Sequence, residues 1–126
     1  MNSLKATSIS KTYSIDGHNI EVLRNLNLLI NKGDTVAISG QSGSGKSTLL
    51  QILALLDKQS SGTVELNGKA VGHLSTNKKS QIRLNNFGFV YQHHHLLEDL
   101  TVYENIALPL QLKGDLVNLD IKVRDL

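Results

Sequence analysis

The 126-residue sequence contains no cysteine. That excludes disulfides and thiol chemistry, and it is consistent with a reducing compartment. Charge of one sign is scarce as well. The net charge of +2 is too small to argue for a nucleic-acid or anionic-lipid partner. There is no long apolar run: residues 49–56 fall far short of the ~20 that a membrane-spanning helix needs. The N-terminus, Met1-Asn-Ser-Leu-Lys5, lacks the basic-then-apolar plan of a signal peptide. Any membrane role is therefore expected to go through a partner. No internal repeat, linker or low-complexity tract is visible. What remains, 40% hydrophobic and 19% charged, has the balance of a soluble globular protein, at the length of one modest domain.

The most informative segment is Gly40-Gln41-Ser42-Gly43-Ser44-Gly45-Lys46-Ser47-Thr48. Gly40, Gly45, Lys46 and Ser47 fit G-x-x-x-x-G-K-[ST], the P-loop or Walker A pattern. Val36, Ala37 and Ile38 read as a short buried strand entering the loop. Leu49, Leu50, Ile52, Leu53 and Leu56 recur after it at helical spacing. Glycines let such a loop curl until successive backbone N–H groups face phosphate oxygens. The helix N-terminus adds partial positive charge there. Lys46 would reach the β- and γ-phosphates, and the Ser47 hydroxyl would ligate Mg²⁺.

Elsewhere, residues 4–10 and 20–24 alternate as strands around a turn at Asp16-Gly17-His18-Asn19. Residues 26–30 form another short apolar segment. The helix after the P-loop is expected to stop near Asp57. Asn67-Gly68, between alternating residues, predicts a hairpin. Residues 75–86 are polar and suggest a short exposed helix. Residues 87–91, Phe-Gly-Phe-Val-Tyr, read as a strand. Thr101-Val-Tyr-Glu104 is a capping-box pattern that predicts a helix start, and Pro109 is expected to limit that helix. Leu116, Leu119, Val123 and Leu126 recur as the start of a further helix, with the pattern still running at the last residue.

A P-loop by itself does not choose among kinases, GTPases and transport ATPases. Phe89-Val-Tyr-Gln92, followed by Leu96-Leu97-Glu-Asp-Leu100-Thr101-Val-Tyr-Glu104-Asn105-Ile106, resembles the Q-loop region of ABC-transporter nucleotide-binding domains. The segment from Gly62 to Gly68 resembles the hairpin that follows the P-loop helix in that family. Tyr13, in Ser10-Lys-Thr-Tyr, matches the family's aromatic A-loop position. The resemblance covers essentially the whole chain. Tyr91-Gln-His-His-His-Leu-Leu and Glu104-Asn-Ile-Ala-Leu-Pro-Leu look most similar to its lipoprotein-releasing and macrolide-exporter branch.

The resemblance implies an α/β fold: a P-loop NTPase core of the ABC type, with an N-terminal antiparallel β subdomain and the start of a helical subdomain. The corresponding ranges would be 1–33 for the β subdomain, 34–92 for the core to the Q-loop, and 93–126 for the helical start. Tyr13 would stack on adenine. Residues 40–48 would hold ATP. Gln92, whose amide both donates and accepts, would contact Mg²⁺ or the attacking water. Lys46 and Gln92 are thus the candidate catalytic residues, and Ser47 and Gln92 the Mg²⁺ ligands. The implied partners are transmembrane permease subunits and a second nucleotide-binding subunit. The implied location is the cytoplasmic face of the inner membrane, held there through partners.

The family's remaining catalytic motifs have no counterpart in this sequence. Nothing matches the signature Leu-Ser-Gly-Gly-Gln; Ile38-Ser-Gly-Gln41 looks similar but is already used in the P-loop. No Walker B is found, since Leu96-Leu97-Glu98-Asp99 has too few apolar residues and its acids reversed. No switch histidine follows a later strand. The chain thus resembles the first half of such a domain and is expected to be inactive alone. The water would lack its general base.

Two other motifs carry competing readings. His93-His94-His95 suggests a metal site, but adjacent residues do not converge on one tetrahedral ion, and a polar loop at a subunit contact is the alternative. Asn77-Lys78-Lys79-Ser80 is similar to the guanine-reading Asn-Lys-x-Asp of GTPases, but Ser80 stands where the aspartate must be. Three function classes remain: the ATP-hydrolysing subunit of a membrane exporter, a nucleotide-binding module without turnover, and another P-loop kinase or GTPase.

Overall fold

A computed structural model of the chain describes residues 3–92 and 96–124. The chain forms two units, residues 1–79 and residues 80–126. The first is built on a four-stranded antiparallel sheet of order β2-β1-β3-β4. Its strands are β1 (Ser3–Ile15), β2 (His18–Asn31), β3 (Ser61–Leu66) and β4 (Lys69–Ala70). Between β2 and β3 lies helix α1 (Lys46–Leu53). Ala6, Ile9, Leu23, Leu49, Ile52, Leu53, Leu55 and Val64 are among its buried apolar residues. Leu49, Ile52 and Leu53 lie on one face of α1, as the i, i+3, i+4 spacing demands.

Both hairpin turns close on two residues. Ile15 pairs with His18 around Asp16-Gly17, and Leu66 with Lys69 around Asn67-Gly68. Both central residues of each turn have positive φ, the type I′ geometry that matches strand twist. The apolar segments 20–24 and 26–30, read separately in the sequence, are one continuous strand. Asn25 between them adopts φ 44°, and its amide donates to Ser10 Oγ at 2.9 Å. Opposite it, the Ser8 amide donates to Asn27 Oδ1 at 2.9 Å. Side chains thus satisfy the backbone where the register shifts, so the ladder bends without ending.

Two expected strands do not form. Residues 34–41 carry no ladder bonds, and Val36 is 44% exposed rather than buried. Residues 87–91 likewise carry no ladder bonds, with Val90 fully exposed. A buried strand needs neighbouring strands to take its N–H and C=O groups, and among the described residues neither segment lies in a sheet. The alternation at 87–91 still shows locally. The rings of Phe87, Phe89 and Tyr91 stack in series, with centroids 6.0 and 5.9 Å apart.

α1 also ends earlier than Asp57. Ala54 is its C-cap, and Leu55 takes φ 60°. The amides of Leu55 and Leu56 donate to the carbonyls of Ile52 and Gln51 at 3.0 and 2.8 Å, a Schellman closure. A leucine in the left-handed region costs about 1–2 kcal/mol. Its burial offsets that cost, since Leu55 is 3% exposed.

Helix α2 (Thr76–Asn86) begins at the end of the first unit and runs into the second. The second unit also holds α3 (Val102–Leu112) and α4 (Leu119–Arg124). Thr101 caps α3 through the predicted box: its side chain accepts from the Glu104 amide, and Glu104 Oε2 accepts from the Thr101 amide at 2.8 Å. Pro109 does not end α3 as expected. Proline removes only its own amide, and the chain closes the following turn, with the Lys113 amide donating to the Pro109 carbonyl at 3.2 Å. α3 stops instead at Gly114, where φ is 73° and the amides of Gly114 and Asp115 donate back to Gln111 and Leu110. α4 starts at Leu119 rather than Leu116, and it is tied to α3 by a Tyr103 hydroxyl that donates to Asp120.

Candidate phosphate-binding site

The P-loop forms as a loop without ladder bonds leading into α1. Gly43 and Gly45 both have positive φ, 78° and 87°, which turns successive amides toward one side. Gly45 is the N-cap of α1 and offers no side-chain acceptor. The first-turn amides of Lys46, Ser47 and Thr48 therefore have neither an intrahelical acceptor nor a capping one. The first helical bond is donated by Leu49 to the Gly45 carbonyl at 2.8 Å. Three unused donors at the positive end of a helix are what an anion requires.

These amides open onto a cavity of about 170 Å³ lined by Val22, Gly43, Gly45, Lys46, Ser47 and Thr48. Sites that enclose a whole small molecule run to about 300–1,000 Å³. This one is sized for phosphate groups, which leaves a nucleoside to other residues. Lys46 Nζ donates to the carbonyls of Gly40 and Gln41, at 2.9 and 2.6 Å. The cation is thereby held against the loop it belongs to. The Ser44 amide donates to the Gln41 carbonyl at 3.2 Å, closing a turn inside the loop. Ser42 is exposed.

Val22 is a wall residue that the sequence did not flag. In the pairing of β1 with β2, Lys11 faces Leu23 and Thr12 faces Glu21, so Val22 is the extra residue of a bulge. The bulge turns Val22 and Leu23, adjacent in sequence, toward Gly45 together. No sequence signal marks this, because bulge position depends on the partner strand.

The residues fit a triphosphate on the chemistry of their donors: backbone amides, one ammonium and the hydroxyls of Ser47 and Thr48. Mg²⁺ would take its protein oxygen from Ser47, a lining residue. Among the described residues no group of three or more His, Cys, Asp or Glu could hold a metal ion. His93, His94 and His95 lie outside the described residues.

Tyr13 belongs to the same unit and is half-buried on β1. Its hydroxyl donates to Asp57 Oδ2 at 2.7 Å, and Lys11 Nζ lies over its ring, 4.5 Å from the centroid. Burial alone would raise the Asp57 pKa. Hydrogen bonds from Lys11, Tyr13 and the Lys58 amide outweigh it and hold the carboxyl below its ordinary value. No sequence signal marks Asp57 or Lys11 as partners of Tyr13. Gln92, by contrast, belongs to the second unit and is exposed. Within that unit Asn105 ties the preceding loop to α3. It accepts from the Leu97 amide and donates to the carbonyls of Leu97, Leu100 and Thr101. The Asn77–Ser80 segment lies within α2, with Lys79 buried.

Comparison with known proteins bears on most of the chain. Residues 23–125 match the family model described as ABC transporter. The chain is 46% identical, over 84% of its length, to the lipoprotein-releasing system ATP-binding protein LolD of Wigglesworthia glossinidia brevipalpis, covering 46% of that protein. It is 48% identical to LolD of Bordetella pertussis, over 90% of this chain and 49% of that one. The macrolide export ATP-binding/permease protein MacB of Pectobacterium atrosepticum is 45% identical over 88% of this chain, which spans 17% of MacB. The chain thus spans at most about half the length of these curated relatives. Among solved structures it is similar to MJ0796, a bacterial ABC transporter cassette seen as a dimer. The TM-score is 0.83 and the identity 40%, over 87% of this chain and 47% of that one. A second structure of that cassette, in a post-hydrolysis state with ADP and Pi bound, is equally similar.

Proposed function

The chain belongs to the ABC transporter family, and we propose that it is the nucleotide-binding first half of an ATP-hydrolysing subunit. That subunit would drive lipoprotein release or macrolide-type export through membrane partners. The names of the relatives support the transport role, and the dimeric cassette supports pairing with a second nucleotide-binding subunit. No helix among the described residues is long and apolar enough to cross a membrane, in keeping with permease subunits as the membrane anchor. The proposed site is the cytoplasmic face of the inner membrane.

The observation that carries this reading is the uncapped start of α1. Donors from Lys46, Ser47 and Thr48 open onto a phosphate-sized cavity beside the Lys46 ammonium. In the proposed division, residues 1–33 supply the base contact through Tyr13, and residues 34–92 supply the phosphate loop and Gln92. Residues 93–126 begin the helical region. Mg²⁺, when bound, would offset charge on the β- and γ-phosphates, with Ser47 and Gln92 as its protein contacts. Lys46 would hold the γ-phosphate, and Gln92 would orient the water. No carboxylate in this sequence takes the general-base place of Walker B, so this polypeptide alone should bind nucleotide without turning it over.

Calorimetry with ATP and Mg²⁺ tests the assignment. Binding should be abolished in Lys46→Ala, which removes the charge that offsets the phosphates. Equal affinity in the two proteins would overturn it.

A further inference from the structure

Asp57 is bonded from three directions. Its Oδ2 accepts from the Tyr13 hydroxyl at 2.7 Å. Its Oδ1 accepts from Lys11 Nζ at 2.8 Å and from the Lys58 amide at 2.6 Å. Lys11 Nζ donates once more, to the Lys58 carbonyl at 2.6 Å, and lies 4.5 Å from the centre of the Tyr13 ring. Lys11 is only 9% exposed. A nearly buried cation with a fixed carboxylate and a fixed aromatic ring is a defined geometry, unlike a surface ion pair.

Two elements are joined by this cluster. Lys11 and Tyr13, two apart on β1, project from the same face of the strand. Asp57 follows the closure of α1, where the amides of Leu56 and Asp57 both donate to the Gln51 carbonyl, at 2.8 and 3.1 Å. Its place is therefore set by the helix whose other end forms the phosphate loop. The ring's free rotation is removed at both levers: its hydroxyl is anchored, and one face is taken by a cation.

We infer that Asp57 and Lys11 are positioning residues that hold the Tyr13 ring in register with the P-loop, leaving one ring face for a stacked purine. This rests on the proposed reading of Tyr13 as the base contact. Neither residue touches the nucleotide in this scheme; each acts through Tyr13. An unanchored ring would still offer a stacking surface, but ordering it would cost part of the binding free energy.

The test compares ATP with inorganic triphosphate, each with Mg²⁺, by calorimetry on the full chain. Tyr13→Phe keeps the ring and removes only the anchor, so it serves even if Asp57→Asn folds poorly. Each should weaken ATP by roughly threefold to tenfold, the scale of one hydrogen bond, and leave inorganic triphosphate unchanged. Adding Asp57→Asn to Tyr13→Ala should cause no further loss of ATP affinity. An equal loss for both ligands would show that Asp57 only supports the fold and would overturn the proposal. So would full ATP affinity in Tyr13→Phe alongside a clear loss in Tyr13→Ala. If Tyr13→Ala itself binds ATP as tightly as the natural chain, the base-contact reading fails, and the positioning role fails with it.

Discussion

Gly45 packs directly against Val22: a Cβ on Gly45 would lie 3.0 Å from the Val22 carbonyl oxygen and 2.9 Å from Leu23 Cδ2. The backbone oxygen cannot move aside without breaking the bulge that places it. The φ of 87° at Gly45 also disfavours any L side chain. Strain and close contact together should cost Gly45→Ala at least about 2 kcal/mol and open the phosphate loop. Circular dichroism melts and ATP titration should report both losses; an unaltered melt would mean that the loop tolerates displacement.

The capping box of α3 should be measurable in isolation. Thr101→Ala removes the acceptor for the Glu104 amide and should destabilise the second unit by about 1 kcal/mol, while Thr101→Ser should be nearly neutral. Helical signal in urea titrations distinguishes them. A neutral Thr101→Ala would show that water serves the cap equally well.

Acid should weaken the first unit through Asp57. Its folded pKa lies below the unfolded value, so its contribution is complete above the ordinary carboxylate value of about 3.9. That contribution is lost as pH falls through the folded value. Asp57→Asn should thus be less stable near neutrality and flatter in acid. Parallel stability–pH curves for the two proteins would contradict the assignment.

Base recognition should be loose. Stacking on Tyr13 does not distinguish purines, so Tyr13→Ala should weaken ATP and GTP alike, by about 1–3 kcal/mol on the scale of base–aromatic contacts. A loss confined to ATP would indicate hydrogen-bonded base readout.

The chain should self-associate when expressed alone. Val36, Phe89 and Val90 are exposed on extended segments without ladder partners, and Leu50 and Leu56 are exposed on and just after α1. Unpaired extended backbone beside apolar side chains is a template for association. Light scattering should show species larger than a monomer, and ATP turnover should stay at background. A monodisperse monomer with a sharp melt would refute the first claim. Steady Mg²⁺-dependent hydrolysis, lost in Lys46→Ala, would refute the second.

Local chemistry was legible in the residues themselves. Glycine spacing around Lys46 specified the phosphate loop, Asn67-Gly68 specified a hairpin, and Thr101 with Glu104 specified a helix start. Each depends on residues a few positions apart, so the chain determines it without reference to the fold. The ladder state of residues 36–38 and 87–91 was not legible. Both have strand-forming side chains, but a strand exists only when other backbone accepts its hydrogen bonds. Pro109 lies inside α3 for a related reason. One lost amide is decisive in an isolated helix and minor in one capped at both ends. The bulge at Val22 and the Lys11–Asp57–Tyr13 cluster join residues from β1, β2 and the end of α1. The sequence by itself determined which loop curls ahead of α1 and leaves the helix start uncapped. Only the tertiary structure decided what walls that loop and what fixes the ring that would face the base, because those contacts form between segments that are remote along the chain.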